Sequence, residues 1–344
     1  MARPIPFVAQ DITDHEPDQP LSWGAGIDDA LAGQLHRTIE AIGIDRAREL
    51  AVTSRDRLCV DAAYSVMSEE DLAAGFVHAG FALTALPHRR TDEPEWVREA
   101  VGLTLRVESG KDQKGSRVGI PYGSVARMIL LYLQTEAVRT RSREVELGRS
   151  MNKWLTSMGV NNGGKGYSLV REQSRRLSLC RLTFYATSEE GMRITNGSFV
   201  RNAILPSNEN DQLSLWRERV VLDEAFYDSL IEHPLPVRET AIKALASRSM
   251  AIDVYVWLAY RLWVLRKPTP IRWAALFEQF GGGFKTIKHF KAHFKEPLAL
   301  ALSVYPEARV EVTDTGLVLK PSPSPVPERS QVFRGHEASV ARLS

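Results

Sequence analysis

Cysteine is scarce in this sequence: Cys59 and Cys180 are the only two, and they stand far apart. Such a pair builds no disulfide framework and points to a reducing compartment. Long apolar runs are missing as well. No stretch approaches the ~18 uninterrupted apolar residues of a membrane span. The opening "MARPIPFVAQDITDHEPDQP" lacks the apolar centre of a signal peptide. The expectation is a cytoplasmic protein with no membrane segment. Catalytic constellations are equally thin, with no G-x-S-x-G elbow and no C-x-x-C pair. His289 and His293 have metalloprotease spacing, but Phe290 stands where the general-base Glu belongs, and no third ligand is visible. No H-x-H cluster accompanies a tyrosine nucleophile, which removes the support for DNA nicking. The chain is therefore expected to be no enzyme and to carry neither metal nor cofactor.

One stretch argues the other way. "GVNNGGKGYS", residues 159–168, fits the start of the phosphate-cradling pattern G-x-x-x-x-G-K-[ST]. Gly166 occupies the place of the magnesium-binding hydroxyl, and Ser168 comes two positions late. A P-loop follows a strand, whereas Met151, Trp154, Leu155 and Met158 before this one fall at i, i+3, i+4, i+7, one face of a helix. The glycines read as a helix-to-helix turn, and an NTPase is the weakest of the readings.

Length and charge set the frame. The 344 residues, 44% hydrophobic and 25% charged, have room for two or three cores. The net charge of +2 conceals an asymmetry. Residues 1–97 hold 8 Lys+Arg against 17 Asp+Glu, while residues 98–186 hold 16 against 7. A basic middle behind an acidic front suggests that part of the chain meets a polyanion.

The order of elements repeats. Residues 1–27 read as a disordered lead, and 28–97 as an acidic helical extension with helices from Asp28, over 45–50 and over 69–86. "VGLTLRVES" alternates as a strand, and "GKDQKGS" is an exposed basic turn. From Pro121 come a helix, the short strand "REVEL", a helix through Trp154, the glycine turn, a helix from about Tyr167 to Leu179, and a hairpin turning at "SEEG". The same order returns after "VRETAIKALASRSMAIDVYVWLAYRLWVL", taken as one long helical region, and ends in a hairpin at Gly316. The fold class expected is mainly α with small β, as tandem winged-helix domains over 98–222 and 223–320. Residues 321–344, rich in Pro and Ser, form a disordered tail.

In a helix-turn-helix, the helix after the turn enters the major groove. In the first unit this brings forward Lys165, Tyr167, Ser168, Arg171, Gln173, Arg175 and Arg176, with Arg149 and Lys153 on the preceding helix. Arg can read guanine and Gln adenine. The plain alternative is a solvated face whose arginines pair with Glu172 and its neighbours. In the second unit Ile287, Phe290 and Phe294 make an apolar stripe, and Lys288, Lys291 and Lys295 a basic stripe one residue over, with Lys285 ahead of it. Glu296 is the only acid between Gly281 and Pro297. Lysines on one face suit phosphates, which give affinity rather than sequence information.

The basic middle resembles the plasmid-encoded RepA replication initiators common in alphaproteobacteria. The likeness rests on "GIPYGSVARMILLYLQTEAVRTRSREVELGRSMNKWLTSMGV" followed by "REQSRRLSLCRLTFY", covers residues 119–185, and continues more weakly to about 305. It implies a protein that binds repeated sites (iterons) in double-stranded DNA at a plasmid origin, promotes duplex opening and recruits the host initiator and replicative helicase. A homodimer is compatible with it. A winged-helix autorepressor with no replication role is the alternative.

Overall fold

The computed structural model describes residues 31–326 apart from 70–72, 101, 148, 161–163, 189–190 and 203–218. The expected disordered lead, and the tail beyond 326, lie outside the described residues. The fold is mixed rather than mainly α, with helices packed around four small sheets.

Three helices open the described chain: α1 (Leu31–Ile42), α2 (Ile44–Leu50) and α3 (Ser54–Met67). Thr53 and Asp56 start α3 with a reciprocal capping box, satisfying two of the orphan amides of the first turn. The helix expected over 69–86 does not form. Its place is taken by β1 (Ala74–His78) and the short α4 (Gly80–Leu83). β1 is buried along its whole length, so it has no alternation to distinguish it from a helix.

The middle begins with a hairpin, β2 (Glu95–Ala100) and β3 (Leu103–Glu108), and continues with α5 (Gly123–Thr140), β4 (Glu144–Glu146), α6 (Arg149–Ser157) and α7 (Gly164–Leu179). Then come β5 (Arg181–Ser188), β6 (Gly191–Ser198), β7 (Val200–Asn202) and β8 (Arg219–Leu222). The hairpin at "SEEG" is present as β5 and β6, and it extends the β2–β3 pair into a sheet ordered β2-β3-β5-β6. The boundary expected at 97/98 therefore cuts through β2. β4 pairs with β8, which pairs with β7, in a separate small sheet.

The stretch read as one long helix from Val237 is three elements. α8 (Glu224–Glu232) is followed by β9 (Pro234–Arg238), α9 (Glu239–Ala244) and then α10 (Ser249–Val264). β9 pairs antiparallel with β1 across the length of the chain. The other side of β1 is sealed by α5: Thr135 Oγ1 accepts from the Phe76 amide at 2.9 Å, and Gln134 Oε1 from the His78 amide at 2.7 Å. The last unit runs β10 (Thr269–Arg272), α11 (Trp273–Phe280), α12 (Ile287–Ser303), β11 (Arg309–Val312) and β12 (Gly316–Lys320), with sheet order β10-β12-β11.

The N-terminal helices pack onto the rest of the described chain. α1 and α3 lie against α12, and His36 Nε2 meets the Ser303 carbonyl at 2.7 Å. The expected tail also begins too early. Residues 321–326 pack onto the body: Arg238 donates to the Pro325 carbonyl at 2.7 Å, the Ser322 amide donates to the Leu262 carbonyl, and Val326 is buried.

Candidate nucleic-acid interface

α12 divides into two halves with different surroundings. Its C-terminal half buries Leu298, Leu300, Ala301 and Leu302 beneath α1, α3 and α10. Its N-terminal half buries only Phe290 and Phe294, both fully enclosed. Phe290 packs at ring distances of 5.0–5.7 Å from Phe277, Phe284 and Phe294, and Phe294 lies 5.4 Å from Phe280. These rings fix which way the helix faces. Ile287, expected beside them, turns outward instead and is 38% exposed, because the cap at Thr286 places it at the start of the first turn.

The opposite face is basic. Lys285, Lys288 and Lys295 are exposed, with His289 and His293 beside them. Lys291 is half-buried, its Nζ 5.3 Å above the Trp273 ring. Among the described residues no acidic side chain pairs with any of these four lysines; Glu296 is held by Arg248 at 2.6 Å. A row of this kind is a cationic surface rather than a solvated mix of both signs.

The turn before α12 is built from glycines for two reasons. Gly283 has φ +96°, the left-handed region. At Gly282 a Cβ would fall 1.3 Å from Arg98 Nη2, so a side chain there requires the guanidinium to move. Arg98 stacks over Trp96 at 3.9 Å, fixing the guanidinium that fills this space.

α7 carries the other candidates, and it divides them. Lys165, Ser168 and Arg175 are exposed, Tyr167 and Arg171 half-buried, and Lys153 of α6 exposed. The side chain of Arg149 lies outside the described residues. Gln173 and Arg176 are withdrawn from the interface. Gln173 is fully enclosed, its Oε1 accepting the Tyr122 amide at 2.8 Å. Arg176, 4% exposed, donates to the Ile120 carbonyl at 2.8 Å and to Glu172 Oε1 at 2.7 Å. Both brace the 120–122 segment that leads into α5. Arg175 pairs with Asp112 at 3.2 Å while its side chain stays half open to solvent. The Ser116 and Lys114 amides and Arg175 together hold the Asp112 carboxyl below its usual range.

The P-loop pattern has a different explanation. α6, a helix, leads into Gly159, whose φ is +77°. The Val160 amide reaches back to the Leu155 carbonyl, and the Gly159 amide to the Thr156 carbonyl. That is a Schellman helix stop with glycine in the left-handed position. Residues 161–163 lie outside the described residues. Lys165 sits in the first turn of α7, which begins at Gly164, three residues before the expected Tyr167. Among the described residues no three His, Cys, Asp or Glu side chains group as a metal site. No helix there is long and apolar enough to cross a membrane.

Residues 120–277 match the RepA_C family model, plasmid encoded RepA protein. The matched stretch runs from the lead into α5 through most of α11. Among the similar solved structures are two of RctB. One, of its domains 2 and 3, shares 14% identity over 64% of this chain and 83% of that one, with a TM-score of 0.44. The other, RctB domains 2–3 over 155–483, shares 13% over 71% of this chain and 97% of that one, again at 0.44. Likeness at that distance carries no functional inference. No curated protein matches the sequence.

Proposed function

We propose that this chain is a DNA-binding plasmid replication initiator that binds repeated origin sites (iterons), promotes opening of the adjacent duplex and recruits host replication proteins. The family match over 120–277 carries the reading. The unpaired lysine face of α12 supports it physically. In this account both units are winged helices. α10, β10, α11, α12 and the β11–β12 hairpin follow that order, and the three-stranded sheet in which β10 joins the hairpin is the arrangement it requires. The first unit follows the order with its short strand β4 in another sheet.

α7 and α12 then enter major grooves, with Arg171 and Arg175 as base readers and Lys153, Lys165, Lys285, Lys288, Lys291 and Lys295 on phosphates. Copies bound about one helical turn apart share one DNA face, and their summed binding energy drives opening without nucleotide hydrolysis. The protein performs no catalysis in this scheme and works in the cytoplasm. The test is plasmid maintenance: an origin plasmid deleted for this gene should replicate when the protein is supplied in trans. Failure to replicate, with footprinting at a single operator, would replace the initiator with a transcriptional regulator.

A further inference from the structure

A cleft of about 590 Å³ opens between residues 87–91, the start of α10 and the α12 face carrying His293, Glu296 and Leu300. Its walls gather Arg89, Arg90, Arg248 and His293 from three separate segments, beside the neutral ring of His88. Glu296 is the one carboxylate among its described lining residues, and Arg248 already neutralises it at 2.6 Å. Arg90 lies 3.7 Å from Asp92, but that pair is 65% and 97% exposed and so is weak. Arg89 is exposed and meets no acidic partner among the described residues. The cleft is therefore basic and largely unspent. Ser249, Met250 and Ala251, the first turn of α10, also line it, and no side chain caps that helix. The positive end of the α10 dipole adds to a wall that the arginines already make cationic.

Position gives the cleft a use. His293 lines the cleft one turn after His289, the neighbour of Lys288, so the outward half of α12 carries the lysines on one side and the cleft on the other. Its volume falls within the ~300–1,000 Å³ of pockets that enclose small molecules, wide enough for a nucleotide. We propose that this cleft holds phosphodiesters of the nucleic acid that α12 engages, with Arg89 and Arg90 as the principal contacts. The inference rests on the DNA-binding reading and extends it to residues outside the matched family stretch. The same phosphodiester chemistry has two sources: the bent flank of the duplex, or a single strand released by opening.

The full-length protein, its Arg89→Gln/Arg90→Gln variant and both single variants are titrated with salt against two fluorescent oligonucleotides of equal length, one duplex and one single-stranded. Random sequences suffice, because phosphates carry no sequence information. If both arginines make contact, the slope of log K against log salt should flatten by ~1.8 on duplex or ~1.4 on single strand, and the responding probe identifies the source. Circular dichroism and the thermal midpoint check folding; if the double variant misfolds, each single variant should still flatten the duplex slope by ~0.9 or the single-strand slope by ~0.7. A folded variant that keeps the parent's affinity and slope on both probes overturns the inference. A parent that binds neither probe is a different failure, that of the DNA-binding reading itself.

Discussion

Arg127 of α5 meets Asp253 of α10 in a two-pronged pair, its Nε and Nη2 each 2.6 Å from a different carboxylate oxygen. Both side chains are buried, at 8% and 10% exposure. The remaining guanidinium protons go to the Gly123, Leu86 and Pro87 carbonyls at 2.8, 2.7 and 3.3 Å. The pair joins α5 to α10. Removing one partner strands the other as a buried charge, so Asp253→Ala should lower stability by ~3–5 kcal/mol. Chemical denaturation measures it, and a double-mutant cycle with Arg127→Met should show strong coupling.

Phe290 should be a costly truncation on α12. The ring is fully buried among Phe277, Phe284 and Phe294, so Phe290→Ala should cost ~3–5 kcal/mol. Ile287→Ala, at an outward position, should cost under ~1 kcal/mol. Thermal unfolding of the two variants distinguishes them.

Two histidines set an acid limit. Burial, with Arg127 second, holds the His88 imidazole down at about 4, and burial holds His78 at about 3. The ordinary value is 6.5. Below pH 6.5 the unfolded chain takes up protons that the folded protein refuses, so stability is complete above that pH and falls on acidification towards 4. His88 alone accounts for up to ~3 kcal/mol across this window. His88→Gln should flatten the dependence of the thermal midpoint on pH between 6.5 and 4; an unchanged profile contradicts the assignment.

Arg175 tests the first unit. If it reads a guanine, Arg175→Ala should weaken a cognate site by ~1–3 kcal/mol and random DNA much less. Asp112→Asn should act in the opposite direction, because it releases the guanidinium from its 3.2 Å partner. Competition binding with cognate and random duplexes checks both.

Local pattern made the helices and hairpins of both units readable, because their periodicity is intrinsic to the segment. α12 and its two stripes follow from spacing alone, apart from Ile287. β1 and β9 were not readable, since each is defined by the other far along the chain, and the second edge of β1 by α5 side chains that cover it. The start of α3 carried a legible signal in Thr53 and Asp56. The burial of Gln173 was also legible: with Val170, Ser174 and Leu177 it completes an i, i+3, i+4, i+7 inner face. Arg176 was not, because its acceptor, the Ile120 carbonyl, belongs to a segment 56 residues away.

The lysine face of α12 is the most exposed part of the account to test. Lys288, Lys291 and Lys295 replaced together by Gln should give a folded protein, since Phe290 and Phe294 hold the helix from the other side. Each lost phosphate contact should flatten the slope of log K against log salt by ~0.9, roughly 2 to 3 in total, with cognate and random DNA weakening by similar factors. A folded triple variant whose slope equals the parent's would show that this face does not meet DNA, and the second unit would lose its proposed role.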